Sequence, residues 1–127
     1  VGEGDADACA PGLAALPGVS LEARWVPDAA MAPLVASART LVLPYREASQ
    51  SGVLPIALAS GVPAIATDVG GLREQLGAGG VLVPPETGAL AAAMIALRDP
   101  ARHARLAAAA REAGAALSDW SAMADAL

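Results

Sequence analysis

The stretch Thr40–Glu74, TLVLPYREASQSGVLPIALASGVPAIATDVGGLRE, decides how the rest of the chain reads. Its apolar opening, Thr40-Leu41-Val42-Leu43-Pro44, is short and closed by a proline, the mark of a buried strand. The loop Ala48-Ser49-Gln50-Ser51-Gly52 follows, built from small residues. Val53 to Ser60 then predicts a helix that Gly61 stops. A second apolar run, Pro63-Ala64-Ile65-Ala66-Thr67, empties into Asp68-Val69-Gly70-Gly71. The order strand, loop, helix, strand, loop predicts a βαβ unit with a small-residue turn at the carboxyl end of each strand. In open α/β sheets ligands bind at that edge.

Working outward, Val19 to Val26 alternates apolar and polar residues, which predicts a half-buried strand. Before it, Asp5 to Leu16 reads as weak helix interrupted by Pro11-Gly12. Pro27-Asp28 opens a helix through Ala38, with Asp28 as cap and Met31, Leu34, Val35 and Ala38 as the inner stripe. Pro33 fits its first turn if the helix starts near Met31. Downstream, Gly71 to Leu76 is a short helix and Val81-Leu82-Val83 a small strand closed by Pro84-Pro85. Thr87 or Glu86 caps a helix with Leu90, Ala93, Met94 and Leu97 inward. Asp99-Pro100 starts another, to about Leu117, and Ser118-Asp119 caps a last turn or two. Strands alternating with helices predict an α/β domain with a parallel sheet.

Composition narrows the function. The 127 residues suit one domain, with C-terminal helices over about 100–127. The hydrophobic share is 55% with no Phe, so Ala, Leu and Val must build the core. A net charge of −5 argues against a nucleic-acid surface, which needs clustered Lys and Arg. Arg98, Arg102 and Arg105 share a helical face that reads as solvated. Cys9 is the only cysteine, so no internal disulfide can form. No apolar run approaches about 18 residues, so no membrane span is expected. The chain opens on Val1-Gly2-Glu3-Gly4, without an initiator Met, and reads as a piece of a longer protein truncated at its N-terminus.

Ser49-Gln50-Ser51-Gly52 is the strongest ligand feature. It offers backbone N–H groups at a helix start, a setting suited to an anion such as a diphosphate. An ordinary capped strand-to-helix turn accounts for the same residues. Gly70-Gly71 is either a second ligand turn beside the first or only the glycine pair a sharp bend needs. Glu47 could accept hydrogen bonds from sugar hydroxyls, or be solvated, or pair with Arg46 or Arg73. His103 has no Cys or His at ligand spacing, so no metal is expected. Ser49 and Ser51 lack the Gly-x-Ser-x-Gly turn of a hydrolase.

Taken together, Val42-Leu43-Pro44 and the run from Ala57 to Glu74 resemble the C-terminal domain of retaining GT-B glycosyltransferases, the glycosyltransferase 4 (group 1) family. Trp25-Val26-Pro27-Asp28, Gly80 to Pro85, Asp99-Pro100 and the Arg/Ala-rich helix ending near Trp120 extend the resemblance over nearly the whole chain. The resemblance implies a Rossmann-like α/β/α sandwich that binds a nucleotide-sugar donor, with the acceptor on a separate N-terminal domain. It implies transfer of a hexose to a glycan or lipid, without a metal or other cofactor, in bacterial polysaccharide or glycoconjugate synthesis. The cytoplasm would be its place, with any inner-membrane association made through the other domain. The donor diphosphate and sugar would lie on Ser49, Gln50, Ser51, Gly52 and Val53, supported by Gly70 and Gly71. Val26 and Pro27 would stand near the base, and Glu47 would be the catalytic carboxylate at the sugar.

One departure stands out. The family carries two glutamates, the second eight positions after the first. Counting from Glu47 the second position is Pro55; aligning without a gap from Pro44 to Gly61 gives Ala48 and Ile56. The ribose carboxylate is absent either way, which leaves Ser51 or Gln50 to replace it, or marks a divergent donor. A GT-B-shaped nucleotide-sugar epimerase and a non-catalytic domain kept for assembly or regulation are the competing readings.

Overall fold

The structure, a computed structural model, describes residues 12–21, 26–47 and 49–125. The chain divides into two compact units, Val1–Met31 and Ala32–Leu127. In the first, Leu13–Ala15 forms one 3₁₀ turn. Val19–Leu21 and Val26 are not in a strand, contrary to the alternating pattern; residues 22–25 lie outside the described residues, as do Cys9 and the Gly2-Glu3-Gly4 turn.

The second unit contains a three-stranded parallel sheet in the order β1 (Leu41–Leu43), β2 (Ala64–Thr67), β3 (Gly80–Val83). Val42 pairs with Ile65, and Ile65 with Val81. Helices are α1 (Asp28–Ala36, which crosses the division), α2 (Leu54–Ala59), α3 (Leu72–Leu76), α4 (Thr87–Ala96) and α5 (Pro100–Asp125). Every residue of β2 is buried, as expected of a central strand covered on both faces. Its side chains alternate between two cores. Ala64 and Ala66 meet Leu54, Leu58, Leu72, Leu76 and Ala110 on one face. On the other, Ile65 meets Val83, Ala93 and Leu97. Helices on both faces of a parallel sheet make the Rossmann-like α/β architecture read from the sequence.

Gly61 ends α2 as its sequence demands. Its φ of 69° is left-handed, its N–H donates to the Leu58 carbonyl at 3.1 Å, and the Val62 N–H reaches back to Ala57 at 2.9 Å. This is a complete Schellman motif, and it turns the chain straight into β2. Asp99 starts α5 by accepting the Ala101 N–H at 3.1 Å, with Pro100 at the first helical position where its missing N–H costs nothing.

Four expectations are corrected. Helix α1 begins at Asp28, three residues before Met31, so Pro33 lies in its interior. Pro33 and Ala29, the carbonyl four residues back, are both exposed, and water can take up the bond the ring removes. Leu34 is 38% exposed, and Met94 of α4 is 52% exposed; neither belongs to the inner stripe. The last helix is also continuous to Asp125. Ser118-Asp119 caps only where the backbone leaves helical geometry, and the alanine-rich flanks keep it there.

At the carboxyl end of β2, Thr67 is only 1% exposed, and its hydroxyl donates to the Tyr45 carbonyl at 2.6 Å. That bond ties the exit of β1 to β2. Thr67→Val keeps the shape and strands the carbonyl, so it should lower stability by about 1–2 kcal/mol. Urea unfolding would show this as a lower midpoint at unchanged slope.

Candidate functional site

Because the strands are parallel and adjacent, the exits of β1 and β2 open side by side at one edge of the sheet. The β1 exit runs through Glu47 and Ser49–Val53 into α2; the β2 exit is Asp68–Gly71, leading into α3. The two are stitched together. The Gly71 N–H donates to the Ser49 carbonyl at 2.7 Å. The Gln75 side chain of α3 makes a double bond pair with the backbone of Ser51, accepting its N–H at 2.9 Å and donating to its carbonyl at 2.6 Å. A Cβ on Gly71 would lie 2.6 Å from the Ser49 oxygen, so only glycine permits this approach. Gly70 precedes it with φ of 54°, a left-handed bend. The glycine pair thus serves the loop contact, with Gly71 against the Ser49 carbonyl and Gly70 making the bend.

Ser51 behaves differently from the sequence reading. It is 3% exposed, and its hydroxyl accepts the N–H groups of Val53 at 3.2 Å and Leu54 at 3.3 Å. It caps α2 from inside the loop. The N–H groups of Ser51, Val53 and Leu54 are therefore already bonded, which corrects the picture of a free helix start. The hydroxyl of Ser51 is thus buried in the α2 cap and not presented at the loop surface. The N–H groups of Gln50 and Gly52 have no partner among the described residues, and both residues are exposed. A Cβ on Gly52 would meet nothing within 4 Å, so the space over this peptide is open.

Glu47 is exposed and has no hydrogen bond or ion pair among the described residues. Arg73 is not its partner: it pairs with Asp68, at the start of the second turn. That hydrogen bond, more than the accompanying Coulomb attraction, raises the Arg73 pKa above its ordinary value. Asp68 and Arg73, with Leu82, Val83, Pro84 and Pro85, line an open depression of about 410 Å³ at the exits of β2 and β3. Val26 is buried and Pro27 exposed in the first unit, where the Pro27 carbonyl accepts the Ala30 N–H at 2.9 Å.

His103 has a structural partner. Its Nε2–H donates to the Arg39 carbonyl at 2.7 Å, pinning α5 to the approach of β1. Arg98, Arg102 and Arg105 are exposed. Among the described residues no three His, Cys, Asp or Glu side chains gather where they could hold a metal ion, and no helix is long and apolar enough to cross a membrane. Sequence reasoning missed Thr67 and Gln75. Their roles depend on backbone carbonyls of another strand's exit, and local sequence carries no signal of that pairing.

Comparison with known proteins agrees with this geometry. Residues 1–99 match the family model described as "Glycosyl transferases group 1". Among solved structures, the chain is similar to the sucrose-phosphate synthase of Thermosynechococcus elongatus, with 33% identity and a TM-score of 0.70 over 80% of this chain. The chain spans 26% of that protein's length. No curated protein sequence matches. A parallel sheet with paired exit loops, a family match over most of the residues and a Rossmann-like α/β fold shared with that synthase lead to one conclusion: the chain belongs to the group 1 glycosyltransferases.

Proposed function

We propose that the chain is the donor-binding unit of a retaining glycosyltransferase that takes a hexose from a nucleoside-diphosphate sugar and gives it to a glycan or lipid acceptor. The observation that carries this, within the family, is the loop at the carboxyl edge of β1. Its Gln50 and Gly52 N–H groups are unpartnered among the described residues, both residues are exposed and the space at the Gly52 Cα is open, while Ser49 and Ser51 are bonded to the neighbouring turn.

In the reaction the bond between the sugar's anomeric carbon and the diphosphate oxygen breaks, and the electron pair leaves with the diphosphate. The acceptor hydroxyl forms the new bond on the same face, and its proton passes to the departing diphosphate oxygen. Fixed N–H donors at the leaving oxygen stabilise the charge as it grows, because they need no reorganisation at that moment. The Ser49–Val53 loop would supply these through Gln50 and Gly52. Glu47, exposed on the same exit, would accept hydrogen bonds from the sugar hydroxyls. The scheme needs no metal or other cofactor. With a nucleoside-diphosphate sugar as its donor, such an enzyme would work in the cytoplasm.

A non-catalytic role draws on the absent second glutamate. Calorimetric titration of the full-length protein with UDP, GDP and ADP separates the two. Saturable binding of one nucleotide in preference to the others is the expected result. Absence of heat from all three would favour the non-catalytic reading.

A further inference from the structure

We propose that Gln75 is a positioning residue for the donor loop: its carboxamide clamps both backbone groups of Ser51 and so determines that Gln50 and Gly52 present their N–H groups to the ligand. The inference rests on the donor-site reading above and adds to it a residue in α3, outside the loop itself.

The clamp has three parts. Gln75 Oε1 accepts the Ser51 N–H at 2.9 Å, and its Nε2 donates to the Ser51 carbonyl at 2.6 Å. Two residues earlier, the Gly71 N–H holds the Ser49 carbonyl at 2.7 Å. A carboxamide offers a donor and an acceptor side by side, so it imitates a neighbouring strand. The loop thereby gains a partner for Ser49 and Ser51 without being in the sheet. With Ser49 and Ser51 committed to the Gly71–Gln75 turn, the N–H groups of Gln50 and Gly52 are the ones left without a partner among the described residues. Both residues are exposed. The hydroxyl of Ser51, buried in the α2 cap, accepts the N–H groups of Val53 and Leu54 and so ties the loop to the start of α2. A loop fixed in advance loses less freedom when it binds, which appears as affinity.

The test uses the full-length protein and two variants. Gln75→Leu removes both bonds at nearly the same size. Gln75→Glu keeps an acceptor for the Ser51 N–H but, when ionised, turns an oxygen toward the Ser51 carbonyl in place of the donor. Nucleotide affinity is measured with UDP, GDP and ADP, and exchange of the Ser51 amide by NMR without nucleotide. The Ser51 amide should exchange at least about tenfold faster in Gln75→Leu, and nucleotide affinity should fall about tenfold in both variants at neutral pH. In Gln75→Glu, affinity should recover toward that of the unaltered protein as pH falls toward the ordinary glutamate value of about 4.3, since a protonated carboxyl again both donates and accepts. The unaltered protein, measured in parallel, should show no such recovery. A merely structural role would lower the melting temperature of the variants without this pH-dependent return of affinity.

Equal Ser51 exchange in the parent and Gln75→Leu would overturn the clamp. Unchanged nucleotide affinity in both folded variants would overturn its link to binding. If none of the three nucleotides binds the unaltered protein, the donor reading fails and takes that link with it, while the exchange comparison still decides the clamp.

Discussion

Gly80→Ala should unfold the sheet or cost about 4 kcal/mol or more, the largest stability loss expected of a methyl addition among the described glycines. Gly80 pairs with Ala64 across the β2–β3 ladder. A Cβ at Gly80 would penetrate the Ala64 carbonyl oxygen and stand 2.8 Å from its carbon and 2.9 Å from its nitrogen. All three atoms are backbone, and Ala64 is fully buried, so no rotamer change relieves the clash. The strands must separate, which breaks the ladder and opens the core on both faces. Domains of this size hold only about 5–15 kcal/mol in total, so such a loss consumes much of it. Gly79→Ala is the natural comparison. Its added methyl meets the tip of the Leu58 side chain, which can rotate, so the cost should be smaller. Thermal melting followed by circular dichroism decides the matter. A Gly80→Ala protein melting within a degree or two of the parent would mean that β2 and β3 do not pair in this register.

Gly52→Trp should do the opposite: leave folding intact and remove nucleotide binding. Nothing lies within 4 Å of a Cβ at this position, and the residue is exposed, so the indole has room. It would cover the Gln50 and Gly52 N–H groups offered to the diphosphate. Affinity for the preferred nucleotide should drop by about a hundredfold or more, the equivalent of about 2.7 kcal/mol. The melting temperature should stay within a degree or two of the parent. Ser51→Trp would not serve, because Ser51 is buried in the α2 cap and the variant would disrupt the loop. Calorimetric titration beside a melting curve gives both quantities. Unchanged affinity in a folded Gly52→Trp protein would remove the diphosphate from this loop and leave the open depression beside Asp68 and Arg73 to be tested in its place.

Much of the fold was legible from local pattern. Thr40–Glu74 carries its own punctuation: Pro44 closes one strand, Gly61 stops the helix, and Ala64–Thr67 is apolar without alternation because both faces of β2 are covered. These features follow from the backbone preferences of single residues and from burial, so sequence determines them. Asp99-Pro100 likewise marked the start of α5 correctly. The weaker expectations were those resting on periodicity in alanine-rich helices. With so many small residues several faces look equally apolar, and Leu34 and Met94 were assigned to an interior they do not reach.

The site divided along the same line. That the β1 and β2 exits are small-residue turns, and that the chain resembles group 1 glycosyltransferases, was in the order of motifs. Which groups are free to bind was not. Ser51 looked like a ligand residue from its type and place, yet tertiary packing buries it and commits its hydroxyl to Val53 and Leu54. Gln75 looked like an ordinary helix residue, yet folding brings it 24 positions back along the chain to the Ser51 backbone. Glycine, proline and strand patterns act within a few residues, and sequence alone therefore determined the elements and their order. Hydrogen bonds between the two exit loops join groups distant in sequence, and only the packing of β1 beside β2 decided which N–H groups remain for a ligand.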